Sequence, residues 1–142
     1  MKVRDIMTSQ VVRIHGMEPV EAAARTLTHY NIGMLPVCGS DGRLCGVVTD
    51  RDLVIRCMAP GRNAGEVKVQ DVMTNRVIAV GPDMDVSAAA HLMGREQVRR
   101  LPVVENGKLC GMVSLADLAA REEVGLDAAD ALMEITSNIC KK

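Results

Sequence analysis

The chain has 142 residues, 48% of them hydrophobic, with a formal net charge of −1 and a sequence pI near 6.3. That length suits one compact domain or two small packed subdomains, with enough apolar residues for a sizeable core. The near-neutral charge leaves no basic footprint for duplex nucleic acid, and with no Phe, no Trp and one Tyr (Tyr30) there is no aromatic platform for single strands, so no nucleic-acid partner is predicted.

The core must therefore be built from Val, Leu, Ile, Ala and the ten Met. The start, Met1-Lys2-Val3-Arg4-Asp5, meets charge at once, and no signal-like apolar run or membrane-length segment follows. A cytoplasmic location with no membrane partner is the expectation. The five cysteines (Cys38, Cys45, Cys57, Cys110 and Cys140) are odd in number and contain no Cys-x-x-Cys pair, which argues against a disulfide framework or a zinc ribbon. Cys45 and Cys110 each precede an equivalent glycine in strand-like surroundings and read as small buried thiols. His15, His29 and His91 have no ligand-like spacing, so no metal site is predicted.

Taken in order, the chain repeats itself. Val3-Arg4-Asp5-Ile6-Met7-Thr8 recurs 66 residues later as Val69-Gln70-Asp71-Val72-Met73-Thr74, and the register holds through Pro36 and Pro102. One residue is then lost in a turn, so Gly46 matches Gly111 at a spacing of 65. The predicted organisation is repeat 1 over residues 1–60, a linker over 61–68, repeat 2 over 69–123 and a C-terminal extension over 124–142, helical in pattern.

Within each copy a β-branched run predicts a strand at 11–14 and again at 77–80. Val20, Ala23, Ala24 and Leu27 then fall on one helical face, as do Val86, Ala89, Ala90 and Met93, and Gly94 lies within the second helical stretch. Leu35-Pro36-Val37-Cys38 and Leu101-Pro102-Val103-Val104 read as short strands, and their prolines predict a strand end or a sheet edge. Ser40-Asp41-Gly42 and Glu105-Asn106-Gly107 are hairpin turns leading into strands 44–49 and 109–114, followed by helices over about 50–58 and 115–123. Each copy is thus β-α-β-β-α. The extension carries Leu132, Met133 and Ile135 as apolar positions, expected to pack on the chain itself.

Where the last strand of each copy becomes its last helix, Gly46-Val47-Val48-Thr49-Asp50-Arg51-Asp52-Leu53 is echoed by Gly111-Met112-Val113-Ser114-Leu115-Ala116-Asp117-Leu118. A hydroxyl residue and an acid stand three positions apart, at Thr49/Asp52 and Ser114/Asp117. Two chemistries fit that spacing. Free N–H groups at a helix start, with a hydroxyl donor and a carboxylate nearby, suit a phosphate and ribose hydroxyls. The same spacing is a capping box, which needs no ligand.

Asp-Ile-Met-Thr, Leu-Pro-Val and Gly-x-x-Thr/Ser-x-x-Asp, in tandem and in β-α-β-β-α order, resemble a stand-alone cystathionine-β-synthase (CBS) domain pair, or Bateman module, over roughly residues 3–122. The resemblance implies an α+β fold with the two repeats as a pseudo-twofold pair, binding AMP, ADP, ATP or S-adenosylmethionine in clefts between them. It implies that Asp52 and Asp117 hold ribose hydroxyls while Thr49 and Ser114 assist phosphate. By position it also implies an adenine wall of Ile78, Val98, Arg99 and Arg100 facing Thr49/Asp52, and a second wall of Val12, Ile32, Gly33 and Met34 facing Ser114/Asp117. Arg99-Arg100 stands where the first copy has Gly33-Met34, so phosphorylated ligands are expected to favour the Thr49/Asp52 cleft.

No nucleophile–base pair emerges, so no enzyme activity is predicted and no cofactor is required; an adenine nucleotide or S-adenosylmethionine would be a regulatory ligand. The resemblance also implies a homodimer and a protein target that the sequence does not name. Two alternatives stand beside it: a structural or interaction protein whose motifs serve only as helix caps, and a thiol-based redox- or metal-responsive protein.

Overall fold

The computed structural model describes residues 1–121 and 125–140. It divides into two compact units, and neither coincides with a sequence repeat. One comprises Val12–Val77; the other joins Met1–Val11 to Ile78–Lys142. The opening segment of each repeat is thus built into the unit that holds the main elements of the other.

In the Val12–Val77 unit, strand β1 (Ile14–His15) pairs parallel with β2 (Met34–Cys38), which pairs antiparallel with β3 (Leu44–Thr49). The predicted strand at 11–14 shrinks to this two-residue piece. Helix α1 (Val20–Tyr30) lays Val20, Ala23 and Leu27 against Leu35, Val37 and Val48 of the sheet, with Val69 and Val72 completing the core. Helix α2 (Asp50–Leu53) continues as a π-helix over Val54–Met58. The linker segment caps α1: Val20 N–H donates to Val67 O (2.8 Å) and Glu21 N–H to Ala64 O (2.9 Å). Those carbonyls satisfy donors that a helix start otherwise leaves orphaned.

The other unit repeats the plan. Helix α3 (Val86–Glu96) packs on the hairpin of β4 (Arg100–Glu105) and β5 (Lys108–Ser114), followed by α4 (Leu115–Ala119). Of the strand predicted at 77–80, only Val80 pairs, in a parallel bridge to Val103. Val86 N–H donates to Met1 O (3.1 Å), matching the linker's cap on α1. Asn106 (φ 54°) and Gly107 (φ 80°) form a left-handed two-residue turn between Glu105 and Lys108. In the other hairpin, Gly39 N–H donates to Arg43 O across a turn that is one residue longer, which accounts for the change in repeat spacing. The helix expected over 115–123 ends at Ala119, and residues 122–124 lie outside the described ones.

Neither proline is at a strand end; Pro102 lies on an edge strand, as expected, and Pro36 does not. Pro36 is the third residue of β2, a central strand, and Pro102 the third of β4. Val47, opposite Pro36, sends its N–H outward to Thr74 O, so the imino side of Pro36 faces β1, which pairs only from Val37 onward. Pro102 likewise faces the Val80 side, where its carbonyl accepts from Val80 N–H (3.0 Å). A missing donor costs nothing where no partner strand has begun.

Helix α5 (Gly125–Cys140) packs on α3 and α4 through Ala128, Ala131 and Ile135. Leu132 and Met133, expected in its packed face, are 41% and 68% exposed. Ile135 packs as expected, and the small residues Ala128 and Ala131 form the rest of the contact. A Cβ on Gly94 would lie 3.1 Å from Ala131 Cα, so α5 approaches α3 more closely than a residue with a side chain ordinarily allows. This helix also explains a difference between the repeats: Ala90 is fully buried beneath α5, whereas its counterpart Ala24 on α1 is exposed. Cys45, expected to be buried, is exposed on the outer face of β3; Cys110 is half-buried. Among the described residues no helix is long and apolar enough to cross a membrane.

Candidate functional site

Both hydroxyl–acid motifs fold as capping boxes. Asp52 N–H donates to Thr49 Oγ1 (3.1 Å) and Thr49 N–H to Asp52 Oδ2 (3.0 Å); Asp117 N–H donates to Ser114 Oγ (3.1 Å) and Ser114 N–H to Asp117 Oδ2 (2.9 Å). The sequence expectation of several free N–H groups is corrected by these bonds and two more. Asp50 N–H is taken by Gly33 O (3.2 Å) and Leu115 N–H by Arg99 O (2.8 Å). The hairpin register causes this, since Met34 pairs with Thr49 and Arg100 with Ser114, which sets the preceding carbonyl over the helix start.

The two copies then diverge. In the first, Arg51 N–H donates to Asp50 Oδ1, and Asp52, only 8% exposed, also accepts from Thr74 Oγ1 (3.2 Å to Oδ1) with Arg56 Nη1 at 3.9 Å. Both carboxylate oxygens are engaged within the unit. In the second, Asp117 Oδ1 and the Ala116 N–H have no partner among the described residues, and Asp117 is half-buried.

The motif glycines have a structural task. A Cβ on Gly46 would lie 2.7 Å from Thr74 O, and one on Gly111 would lie 3.1 Å from Thr8 O. Thr74 and Val47 exchange N–H···O bonds (2.8 and 3.0 Å), as do Thr8 and Met112 (2.8 and 2.9 Å), so each exchanged segment runs directly over a glycine.

Beside the second motif lies a cavity of about 460 Å³, within the range of small-molecule sites. Arg99 and Arg100 line it with Ser114, Leu115 and Ala116; Ala119 and the α5 residues Gly125, Ala128, Ala129 and Leu132 complete it. Both arginines are exposed and carry no ion pair or side-chain hydrogen bond among the described residues. Two exposed guanidiniums on the rim of a mostly apolar hollow attract an anion with an apolar body. The sequence set these arginines against Thr49/Asp52; in the structure the cavity they line carries Ser114, the partner of Arg100 in the hairpin register.

The remaining expected wall residues sit at the margins of the cores. Val12 and Ile32 are half-buried against the core of the Val12–Val77 unit, where Gly33 and Met34 lead into β2. Ile78 and Val98 are half-buried against the other core. The α5 contribution escaped the sequence because its lining residues are mainly small, whereas large apolar residues were taken as the packing face.

Helix α5 is anchored at its first turn by His91 Nε2 and Asp127 Oδ1, 2.9 Å apart. The hydrogen bond from His91, reinforced by Ser87, holds the Asp127 carboxyl below the usual carboxylate range. Burial pushes the thiols of Cys38 and Cys110 up, away from the reactive thiolate. Among the described residues no group of three or more His, Cys, Asp or Glu is arranged to hold a metal ion.

The sequence model of the CBS domain matches residues 3–58 and 69–123. The CBS domain-containing protein YhcV of Bacillus subtilis is 37% identical over 134 residues, 94% of either chain. Among solved structures, Hypoxic Response Protein I with two coordinated zinc ions aligns with TM-score 0.78 and 34% identity, covering 85% of this chain and 98% of its own. The CBS domain pair of protein MJ0100, in complex with 5′-methylthioadenosine and S-adenosyl-L-methionine, aligns with TM-score 0.73 and 26% identity, covering 84% and 94%.

Proposed function

The chain belongs to the CBS domain family, and on that footing we propose that it is a non-catalytic, cytoplasmic regulatory module whose ligand is an adenosine-containing anion held at the Ser114 cavity. The observation that carries this reading is the pair Arg99 and Arg100, without a partner among the described residues, on the rim of the cavity that holds Ser114 and the Ala116 N–H, likewise unbonded among them. Phosphate is taken by the guanidiniums with the Ser114 hydroxyl and the Ala116 N–H, and Asp117, next in the chain to the lining residue Ala116, accepts from ribose hydroxyls through Oδ1, which has no partner among the described residues. The MJ0100 pair binds two adenosyl compounds, which supports the ligand class. The two cations favour AMP, ADP or ATP over S-adenosylmethionine, whose sulfonium they repel.

The first motif supports a second reading for its own residues. With Asp52 bonded to Thr49, Thr74 and, more distantly, Arg56, Thr49/Asp52 acts as a helix cap and clamp for the exchanged segment. One ligand per chain is the consequence. Ligand binding shifts an equilibrium that a protein target reads, within the limit set by its differential affinity for two states. The module works as a homodimer, the commonest closed assembly, which sedimentation at micromolar concentration checks.

Titration calorimetry with AMP, ATP, adenosine and S-adenosylmethionine tests the assignment. Saturable AMP binding at one site per chain, tighter than adenosine and S-adenosylmethionine, is expected. Heats at the dilution level for every nucleotide would remove it, leaving the capping role for both motifs.

A further inference from the structure

The matched CBS repeats end at residue 123, yet the cavity at Ser114 is closed by residues beyond them. Gly125, Ala128, Ala129 and Leu132 lie on successive turns of α5 and supply one wall, with Arg99, Arg100 and Ser114 opposite. The α5 side chains divide into two groups. Ala128, Ala131 and Ile135 are buried against α3 and α4 and hold the helix in place, while Ala129 and Leu132 are exposed although they line the cavity. Ala129 and Leu132 are therefore free to touch a ligand without serving the core. Among the described residues the docking rests on the close approach at Gly94, on Ala128, Ala131 and Ile135, and on the His91–Asp127 bond. A ligand touching Ala129 and Leu132 would add contact area on the side of α5 that the core leaves exposed.

We propose that α5 is part of the ligand site, with Ala129 and Leu132 forming the apolar wall for the ligand's base, so that occupancy tightens α5 onto its unit. This rests on the Ser114 cavity being the nucleotide site. It adds both a specificity element and a readout: the apolar wall of Ala129 and Leu132 packs against the face of a flat ring. The event a target senses is the docking of α5, through linkage between ligand binding and local opening.

The test uses the full chain and AMP. Ala129→Phe fills the cavity from an exposed position, so ligand-free stability should stay within the range of surface substitutions while AMP affinity falls at least tenfold. Leu132→Ala removes wall area and should weaken AMP less, giving a second variant if the first misfolds. Hydrogen exchange of the amides in 125–140 should slow on saturation with AMP in the wild type. Wild-type AMP affinity in both variants, or unchanged exchange in α5 while AMP is demonstrably bound, would overturn the α5 role and leave the nucleotide reading standing. Absence of AMP binding to the wild type would overturn both.

Discussion

Thr74 Oγ1 donates to Asp52 Oδ1 across 3.2 Å, tying the exchanged segment of one repeat to the motif carboxylate of the other. The equivalent pair, Thr8 and Asp117, makes no such bond. Identical residue types thus carry different duties: Asp52 is a buried structural acceptor, and Asp117 keeps one oxygen available.

Asp52→Ala and Asp117→Ala should separate in two measurements. Loss of Asp52 removes the acceptor for Thr74 and the box partner of Thr49, at a cost of about 1–3 kcal/mol in urea denaturation. Loss of Asp117 should cost about 1 kcal/mol, a cap's worth, but about 1.5–3 kcal/mol of AMP affinity, the range for a hydrogen bond to a charged group. Equal stability losses with unaltered AMP affinity would make both residues caps.

Gly94→Ala gives a prediction whose sign is informative. In an exposed helix interior the change stabilises by about 1 kcal/mol, because alanine is the better helix former. At Gly94 the new Cβ meets Ala131 Cα at 3.1 Å and Glu134 Oε2 at 2.8 Å, so α5 must retreat. Net destabilisation of about 1–3 kcal/mol, the usual cost of overpacking, is expected in urea denaturation. A stabilised variant would show that α5 does not pack there.

Gly46→Ala should be more severe, because the obstacle is a backbone carbonyl, Thr74 O at 2.7 Å. A loss of about 2 kcal/mol or more is expected, with the exchanged segment at 69–74 losing hydrogen-exchange protection first. Protection lost evenly over the unit would contradict the local clamp.

The Asp127 carboxyl is held below its ordinary value by His91. A group with a depressed folded-state pKa contributes fully above its unfolded value and loses that contribution as pH falls through the folded one. Docking of α5 should therefore be constant with respect to this carboxyl near neutrality and weaken only below the ordinary carboxylate value, about 3.9. Urea midpoints of the wild type and Asp127→Asn across that acid range check this. The two curves should converge as pH falls, whereas parallel curves would show that the carboxyl plays no part.

The repeat, its element order and both motif positions were legible because they rest on periodicity and on residue types that recur at fixed spacing. What the sequence could not carry was conformational. Thr8 and Thr74, Arg121 and Arg56, and Asp117 and Asp52 match in type, yet α2 runs on as a π-helix that places Arg56 near Asp52, while α4 stops at Ala119, before Arg121. Pro36 in a central strand was unreadable because its tolerance depends on where β1 begins. The cavity wall on α5 was hidden because small residues signal close approach only when a partner such as Gly94 is known.

The central claim is that Arg99 and Arg100 give this chain its affinity for a phosphorylated adenosyl ligand at the Ser114 cavity. Calorimetric titration of AMP and adenosine into the wild type and into Arg99→Gly/Arg100→Met, which restores the residues of the first repeat, addresses it most directly. The account predicts that the variant loses at least tenfold in AMP affinity, about 1.4 kcal/mol, with adenosine binding nearly unchanged and the wild-type AMP affinity weakening as salt rises. AMP binding to the variant with wild-type affinity would contradict it.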